Sequence, residues 1–368
     1  MPIEGWVKRL LLICLAVVLP LAAAATLLPL IEANDWWIRY TDFIRIQVSI
    51  VLLALLAGAL AWILFSRRSA VALSTVAVLL PLLGYQASKL HSYSPLVAPV
   101  APTRAACPAE ARVTILSANL QRGNRDADAV LDLVRSRDPD MVFAMETNGW
   151  WDRQLEPLSE RYAHMVQDIP RDATYYGLHL FSRLDLIDPR TVHYFGADTP
   201  TVTTGVRLAS GATFTFAGVH PRPPQSFSQP TTLRDGHLAK VALDAAISDR
   251  SVVVAGDFNA VSWERIFRQM ARVGGFLDPR IGRGPIPSYA VGNPLMAWPL
   301  DHVLFQADVG LIGFERLPAI GSDHYPIMAT LCVDPGGVQD QRAPAPAAGD
   351  VEELRTAFRS AEAIDMTD

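Results

Sequence analysis

The chain has 368 residues, half of them hydrophobic, and a formal net charge of −5. That length holds one large domain with something added, and the apolar excess lies in the first 90 residues. The segment Arg112–Asp334 carries 21 Lys+Arg against 25 Asp+Glu, which argues against a duplex nucleic-acid partner, since that needs a basic face.

Lys8 and Arg9 precede an apolar run over 10–31. A second run covers 46–65, flanked by Arg45 and by Arg67-Arg68, and a third covers 69–85, followed by Lys89. Uncharged runs near twenty residues predict about three membrane-spanning helices in residues 1–90. "LAAAA" in the first run resembles a signal-peptidase site. The run continues through "TLLPLI", however, and two more follow, so an uncleaved span is favoured. Positive charges at the N-terminus and between the second and third runs mark the cytoplasmic side. Three spans then put everything after Leu90 outside the cytoplasm; if the third run does not span, the domain lies inside.

Residues 91–106, rich in Pro and Ala, predict a linker, 107–334 a globular domain, and 335–368 a Pro/Ala-rich disordered tail. Within the tail, "VEELRTAFRSAEA" has helical character but nothing that requires docking. Cys14 falls in the first apolar run, whereas Cys107 and Cys332 bracket the domain. Either these two join across antiparallel first and last strands, as an oxidising compartment would favour, or they stay buried thiols.

Inside the domain, "RVTILSAN" predicts a strand, "DADAVLDLVRSR" an amphipathic helix and "DMVFAME" a second strand. "WWDRQLEPLSERY" predicts a helix, and "YGLHLFS", "TVTTGVRL" and "TFTFAGVH" predict strands. A helix over "TTLRDGHLAKVALDAAIS" leads to "SVVVAGD", a strand buried on both faces. "WERIFRQMARV" is helical, and "DHVLFQ" and "PIMATLCV" close the domain as strands. This order suggests an α/β domain of two stacked sheets with helices outside.

Polar residues recur where these strands meet loops. Asn119 closes the first strand, Glu146 the second and His220 "TFTFAGV", while Asp257 and Asn259 follow "SVVVAG". Asp301 and His302 open "DHVLFQ", and Asp323 and His324 precede the last strand. One such residue is an ordinary cap. The repetition is not, because carboxylates gathered near one another are costly unless paired or bound to a cation.

"LSANLQRGN", "MET", "GLHLFSR", "GVHPRPP", "AGDFNA", "LDHVLF" and "GSDHYPI" stand in the order of the endonuclease/exonuclease/phosphatase superfamily, and the resemblance covers about Arg112 to Val333. It implies a DNase I-like four-layer α/β sandwich and a metal-dependent phosphoesterase. Carried over by residue, Glu146 is the main ligand of Mg²⁺, with Mn²⁺ as the alternative ion. Asn119 lies beside metal and phosphate, and Asp323 at the metal edge. Asp257 and Asn259 orient the attacking water or the leaving group and a phosphoryl oxygen, and His220 donates to phosphoryl oxygens, with general acid as its alternative role. His324 acts as base or transition-state stabiliser, with Asp301 fixing its tautomer. His302 is assigned to structure, and Arg183 and Arg222 are candidate phosphate contacts.

Met145 departs from the family's usual polar residue before the glutamate. The loop "HPRPPQSFSQP" offers Arg222 and Phe227 to a substrate or a membrane surface. The resemblance together with the apolar runs implies a bacterial inner-membrane protein with an extracytoplasmic catalytic domain. Its expected substrate is a lipid-linked or phospholipid phosphoester or pyrophosphate. A nuclease acting on DNA or RNA is the alternative, disfavoured by the acidic domain and the lack of DNA-binding insertions. A tethered, non-catalytic binding module is the third reading.

Overall fold

The computed structural model describes residues 2–65, 69–104, 106–169, 177–195, 199–224, 230–334 and 341–365. They form two compact units, one of helices up to Ser92 and one from Tyr93 onward.

The first unit contains α1 (Pro2–Leu27), α2 (Trp36–Phe43), α3 (Arg45–Phe65) and α4 (Ala70–Leu90). Ala22, Val48, Leu52, Leu79 and Leu82 interlock α1, α3 and α4. Leu53, Leu64, Leu73 and Leu80 face outward, so α3 and α4 are apolar on both their packed and unpacked faces, a pattern that suits lipid better than water. Polar groups are held inside: Arg45 donates to Asp42 at 2.6 Å and to Gln86 at 2.9 Å, and Gln86 donates to Thr26 at 3.1 Å. Two helices are long and apolar enough to cross a bilayer, with Leu15–Leu30 a shorter apolar stretch among the described residues. Arg67 and Arg68 lie outside the described residues.

The second unit is built on two six-stranded sheets. The first holds β1 (Arg112–Asn119), β2 (Met141–Thr147), β3 (His164–Asp168), β4 (Gly177–Ser182), β11 (Gly310–Arg316) and β12 (Ile327–Cys332), in the order β11-β12-β1-β2-β4-β3. The second holds β5 (Asp185–His193), β6 (Pro200–Arg207), β7 (Thr213–Val219), β8 (Val252–Asp257), β9 (Phe276–Leu277) and β10 (Asp301–Gln306), in the order β5-β6-β7-β8-β10-β9. β1 with β2 and β7 with β8 run parallel; the other pairs are antiparallel.

Alternation explains why apolar runs suit both faces. Val113 and Ile115 of β1 point into the core between the sheets, with Val253 and Ala255 of β8. Leu116 and Ala118 point instead to α5 (Ala127–Arg137) and α6 (Gly149–Leu155). Val252 and Val254 point to α7 (Thr232–Ala245) and α8 (Arg265–Val273). The result is the expected four layers, helix–sheet–sheet–helix. At Gly218 of β7 a Cβ would lie 2.6 Å from the Phe143 ring of the facing sheet, so only glycine lets the sheets close there.

The ends of the domain differ from expectation. Residues expected to be linker pack on the domain: the Tyr93 hydroxyl donates to the Ser262 carbonyl at 2.8 Å, and Ala101 joins the inter-sheet core. The tail expected to be disordered carries α9 (Asp350–Asp365). Leu354 and Ala361 of α9 are buried; Arg272 of α8 grips Asp350 through two bonds, at 2.6 and 2.8 Å. Burial of its leucine and alanine face and pairing of its acidic first turn dock this helix. Cys107 and Cys332 form a disulfide with their Cα atoms 6.0 Å apart, beside the antiparallel pairing of Arg112 with Cys332. β3, β5, β9 and β11 were not anticipated; "DLIDPRTVH" of β5 carries two aspartates and a proline, residues an edge strand tolerates.

Candidate active site

Parity along the strands gathers the site. Residues 113, 115 and 119 share one face of β1, so Asn119 ends the strand pointing between the sheets. Asp257 continues the inward series of Val253 and Ala255, and Asp301 begins the inward series Val303 and Phe305. Asp301 and Asp257 are direct partners in the antiparallel register of β10 and β8. His220 continues the inward series of Phe214 and Phe216. Glu146 would point the wrong way, next to inward-facing Met145. A β-bulge between Met145 and Thr147, with Glu146 at φ 56°, turns it toward the others.

Asn119 is 1% exposed, and its amide donates to Glu146 Oε1 at 3.0 Å and to Asp257 Oδ2 at 3.2 Å. Its Oδ1 accepts from the Gln121 N–H at 2.9 Å. His220 Nε2 stands 3.9 Å from Glu146 Oε1 and 3.7 Å from Asp257 Oδ2. Asp257 Oδ1 accepts from the Asn259 N–H at 2.9 Å, and Asn259 adopts φ 50°, a conformation asparagine tolerates. The Asn259 amide donates to the Pro221 carbonyl at 2.9 Å, tying the two loops together. His324 Nδ1 meets Asp301 Oδ2 at 2.7 Å, and its Nε2 lies 3.6 Å from Asp257 Oδ2. The loop before β12 is held to β1 by the Ser322 hydroxyl, which donates to the Asn119 carbonyl at 2.7 Å.

The electrostatics follow from burial and crowding. Burial pushes the Asp257 carboxyl up to about 7, against the pull of His324. Burial disfavours charge on His324, yet Asp301 and Asp257 carry its pKa up to about 10. Burial lowers His220 below the usual imidazole range despite Glu146. Burial also raises Asp323, with His324 opposing. The site therefore pairs an imidazolium at His324 with a neutral imidazole at His220.

A hard divalent cation fits this donor set. Asp257, Asp301 and His324 place three candidate ligand atoms within 4.8 Å of one another, but His324 has a lone pair to give only as a neutral imidazole, so its charged form leaves the two aspartates as the donors. The buried Asp301 Oδ1 has no hydrogen-bond partner, and an orphaned carboxylate oxygen is what such a cation satisfies. This group differs from the expected Glu146, Asn119 and Asp323, though Asp257 is linked to Glu146 through Asn119.

Two expected contacts fare differently. Arg183 is not brought to the site: it follows β4, whose Ser182 pairs with Met141 at the start of β2. There it binds Asp138 and lies 5.0 Å over the Tyr162 ring, at the far end of the ladder from Glu146. Arg222 is half-buried on the loop after His220; Phe227 of that loop lies outside the described residues. His302 is structural, as assigned. It points outward by parity, with its ring 4.8 Å from Phe258 and 4.6 Å from Phe267 and its Nε2 on the Ala260 carbonyl.

Sequence reasoning missed three supports. Met145 Sδ accepts from the Asp257 N–H at 3.1 Å, which gives the residue flagged as a departure a role beneath the site. Arg234, fully buried in α7, donates to the Asn259 carbonyl at 2.8 Å while bonded to Asp235 and Glu264. Ser288 Oγ accepts from the Asp301 N–H at 2.9 Å. The Arg234-Asp235 pair in the first turn of α7 was visible in the sequence, but it does not say what it holds.

The family's sequence model matches residues 116–324, more than half of the chain, and so spans every residue of this constellation. The chain belongs to the Endonuclease/Exonuclease/phosphatase family. No curated protein matches it. Among solved structures, humanized D. rerio TDP2 aligns with TM-score 0.50 at 16% identity, covering 60% of this chain and 99% of that one. The human Nocturnin catalytic domain aligns with TM-score 0.50 at 14% identity, covering 60% and 94%. At these identities the likeness is one of fold. Family membership and the buried Asp/Asp/His group together make the chain a metal-dependent phosphoesterase of this superfamily.

Proposed function

We propose that this protein is a membrane-anchored phosphoesterase whose catalytic domain faces an extracytoplasmic compartment and hydrolyses a phosphoester or pyrophosphate of a bilayer-borne substrate. The observation that carries the chemistry is the convergence of Asn119, Glu146, His220, Asp257, Asp301 and His324 on one end of the seam between the sheets.

Mg²⁺ or Mn²⁺ held by these carboxylates would supply Lewis-acid stabilisation of phosphoryl charge; Glu146, Asn119 and Asp323 are its proposed holders, with Asp257 and Asp301 adjoining. The protein's own groups divide the remaining work. Asp257, with a pKa near neutrality, takes the proton of the attacking water. His324, kept an imidazolium by Asp301, donates to a phosphoryl oxygen as charge develops. The Asn259 side chain and neutral His220 orient phosphoryl oxygens without adding negative charge.

Anchoring rests on the long apolar helices α3 and α4 with their outward apolar faces. The extracytoplasmic placement is supported by the Cys107–Cys332 disulfide and by the basic residues Lys8, Arg9, Arg67 and Arg68. A bilayer-borne substrate follows from anchoring, which raises the local concentration of lipid phosphates at the site.

The test is phosphate release by the full chain in detergent or vesicles with Mg²⁺, from lipid phosphates and from single-stranded DNA in parallel. Release from lipid phosphates that disappears in Glu146→Ala and with chelator supports the reading. Cleavage of DNA alone moves the protein to nuclease chemistry, and no metal-dependent release from any phosphoester overturns the enzymatic reading.

A further inference from the structure

Glu146 faces the site only because one residue is left over in a strand pairing. Met145 of β2 pairs with Leu178 of β4 and Thr147 pairs with Gly177, so Glu146 has no partner across the ladder. Regular alternation would send Glu146 outward with Ala144, which packs on the helix side of the sheet. The face that Thr147 takes therefore decides the face of Glu146: Thr147 outward leaves Glu146 inward, and a slip of one residue reverses both.

Three side chains outside the constellation fix that face. Thr147 and His179 of β4 are both buried. His179 Nδ1 lies 3.1 Å from the Thr147 hydroxyl, and its Nε2 lies 3.1 Å from Asp152 Oδ1 on α6. The imidazole also lies parallel to the Phe181 ring, at 5.6 Å and 4°. The Asp152 carboxylate can only accept, so Nε2 carries the proton and Nδ1 accepts from the Thr147 O–H. Burial favours this neutral form. Ala144, Trp151 and Phe181 belong to the apolar cluster on this face, where a polar ring costs stability unless its bonds are made. We propose that His179 is a positioning residue for Glu146: backed by Asp152, it clips the Thr147 hydroxyl to the outer face of the sheet and so keeps Glu146 turned toward Asn119 and the metal. The effect on the ion rests on the reading of Glu146 as a metal holder; the clip itself concerns only the chain.

Metal-free crystal structures and Mn²⁺ titration of the full chain in detergent test it. His179→Phe keeps a ring beside Phe181 and removes both bonds. Thr147→Val keeps the branched shape and removes the donor, so either variant decides if the other fails to fold. In each, Glu146 should leave the Asn119 amide, which is 3.0 Å away in the wild type, and Mn²⁺ should bind about 10–100-fold more weakly. Thr147→Ser, which keeps the hydroxyl, should hold both at wild-type values. In a Glu146→Ala background, His179→Phe should weaken Mn²⁺ binding no further, whereas a general loss of packing would add to it. Glu146 unmoved in a folded His179→Phe or Thr147→Val protein, or a further loss of affinity in the Glu146→Ala background, would overturn the proposal. Glu146 displaced with Mn²⁺ affinity unchanged would uphold the clip and sink the reading of Glu146 as a metal holder.

Discussion

Replacing Asp301 with Asn asks how the site keeps His324 charged. The wild-type imidazole is raised from 6.5 to about 10, which corresponds to ~5 kcal/mol of net preference for the imidazolium. Burial works against that preference, so the carboxylates supply all of it, Asp301 first, then Asp257 and last Asp323. Asp301 makes the direct bond at 2.7 Å, whereas Asp257 stands 3.6 Å from the other ring nitrogen. Asparagine keeps the size and can still accept from Nδ1–H, and only the charge is lost. Removing the nearer carboxylate should cost roughly half the preference, ~2–3 kcal/mol, and lower the His324 pKa by about two units.

The sign of the linked stability is fixed by the direction of the shift. Because the folded pKa lies above the unfolded one, the stabilisation is fully present below about 6.5 and is lost as pH rises toward about 10. In Asp301→Asn that loss should be complete about two units earlier. Imidazole ¹⁵N shifts of histidine-labelled, metal-free protein read the titration directly. A His324 resonance that still titrates near the wild-type pH in a folded Asp301→Asn protein would refute the assignment of its charge to Asp301. In turnover assays the same variant should show a lower kcat and an alkaline limb displaced to lower pH.

Arg234→Met should strand Glu264 and Asp235, both paired to that guanidinium, at a cost of ~3–5 kcal/mol; urea melting of a double-mutant cycle with Glu264→Gln should show strong coupling, and additivity would count against it. Reducing the Cys107–Cys332 disulfide, which spans a sequence separation of 225, should destabilise the domain by ~5 kcal/mol on the chain-entropy account, seen as a drop in thermal midpoint with dithiothreitol that Cys107→Ser reproduces. Leu354→Ala should cost ~2–5 kcal/mol if α9 is part of the folded domain, and an unchanged midpoint would mean the helix is not docked in solution. Gly236→Ala would place a Cβ 2.3 Å from that of Ala361 and should loosen the same helix by ~1–3 kcal/mol.

Much of this architecture was legible because strand alternation leaves a strong mark. β1 and β10 match the segments read from the sequence, and the polar residues at strand ends were visible as a repeated pattern. Alternation also explains neighbours that serve different purposes: Asp301 faces the seam between the sheets and holds His324, while His302 faces the helices and packs between Phe258 and Phe267. Elements without that mark were missed. The segment 91–106 and α9 show composition, Pro and Ala or mixed charge, that is shared by linkers and by docked segments. Their docking depends on partners such as Ser262 and Arg272, which lie far away in sequence.

Arg183 shows where strand-end reasoning needs topology. A residue following a strand reaches the site only if that strand runs toward it. β1, β2, β7 and β8 all do, and their trailing residues Asn119, Glu146, His220 and Asp257 converge. β10 runs antiparallel to β8 and β12 antiparallel to β1, so each contributes what precedes or opens it, Asp301 and His324. β4 runs antiparallel to β2, which carries Arg183 to the opposite end, where Asp138 takes its charge. The rule that separates the residues brought together from the one carried away is therefore the pairing direction of each strand. A motif such as "GLHLFSR" does not contain that direction, however well it matches the family, and the register of β4 on β2 supplies it.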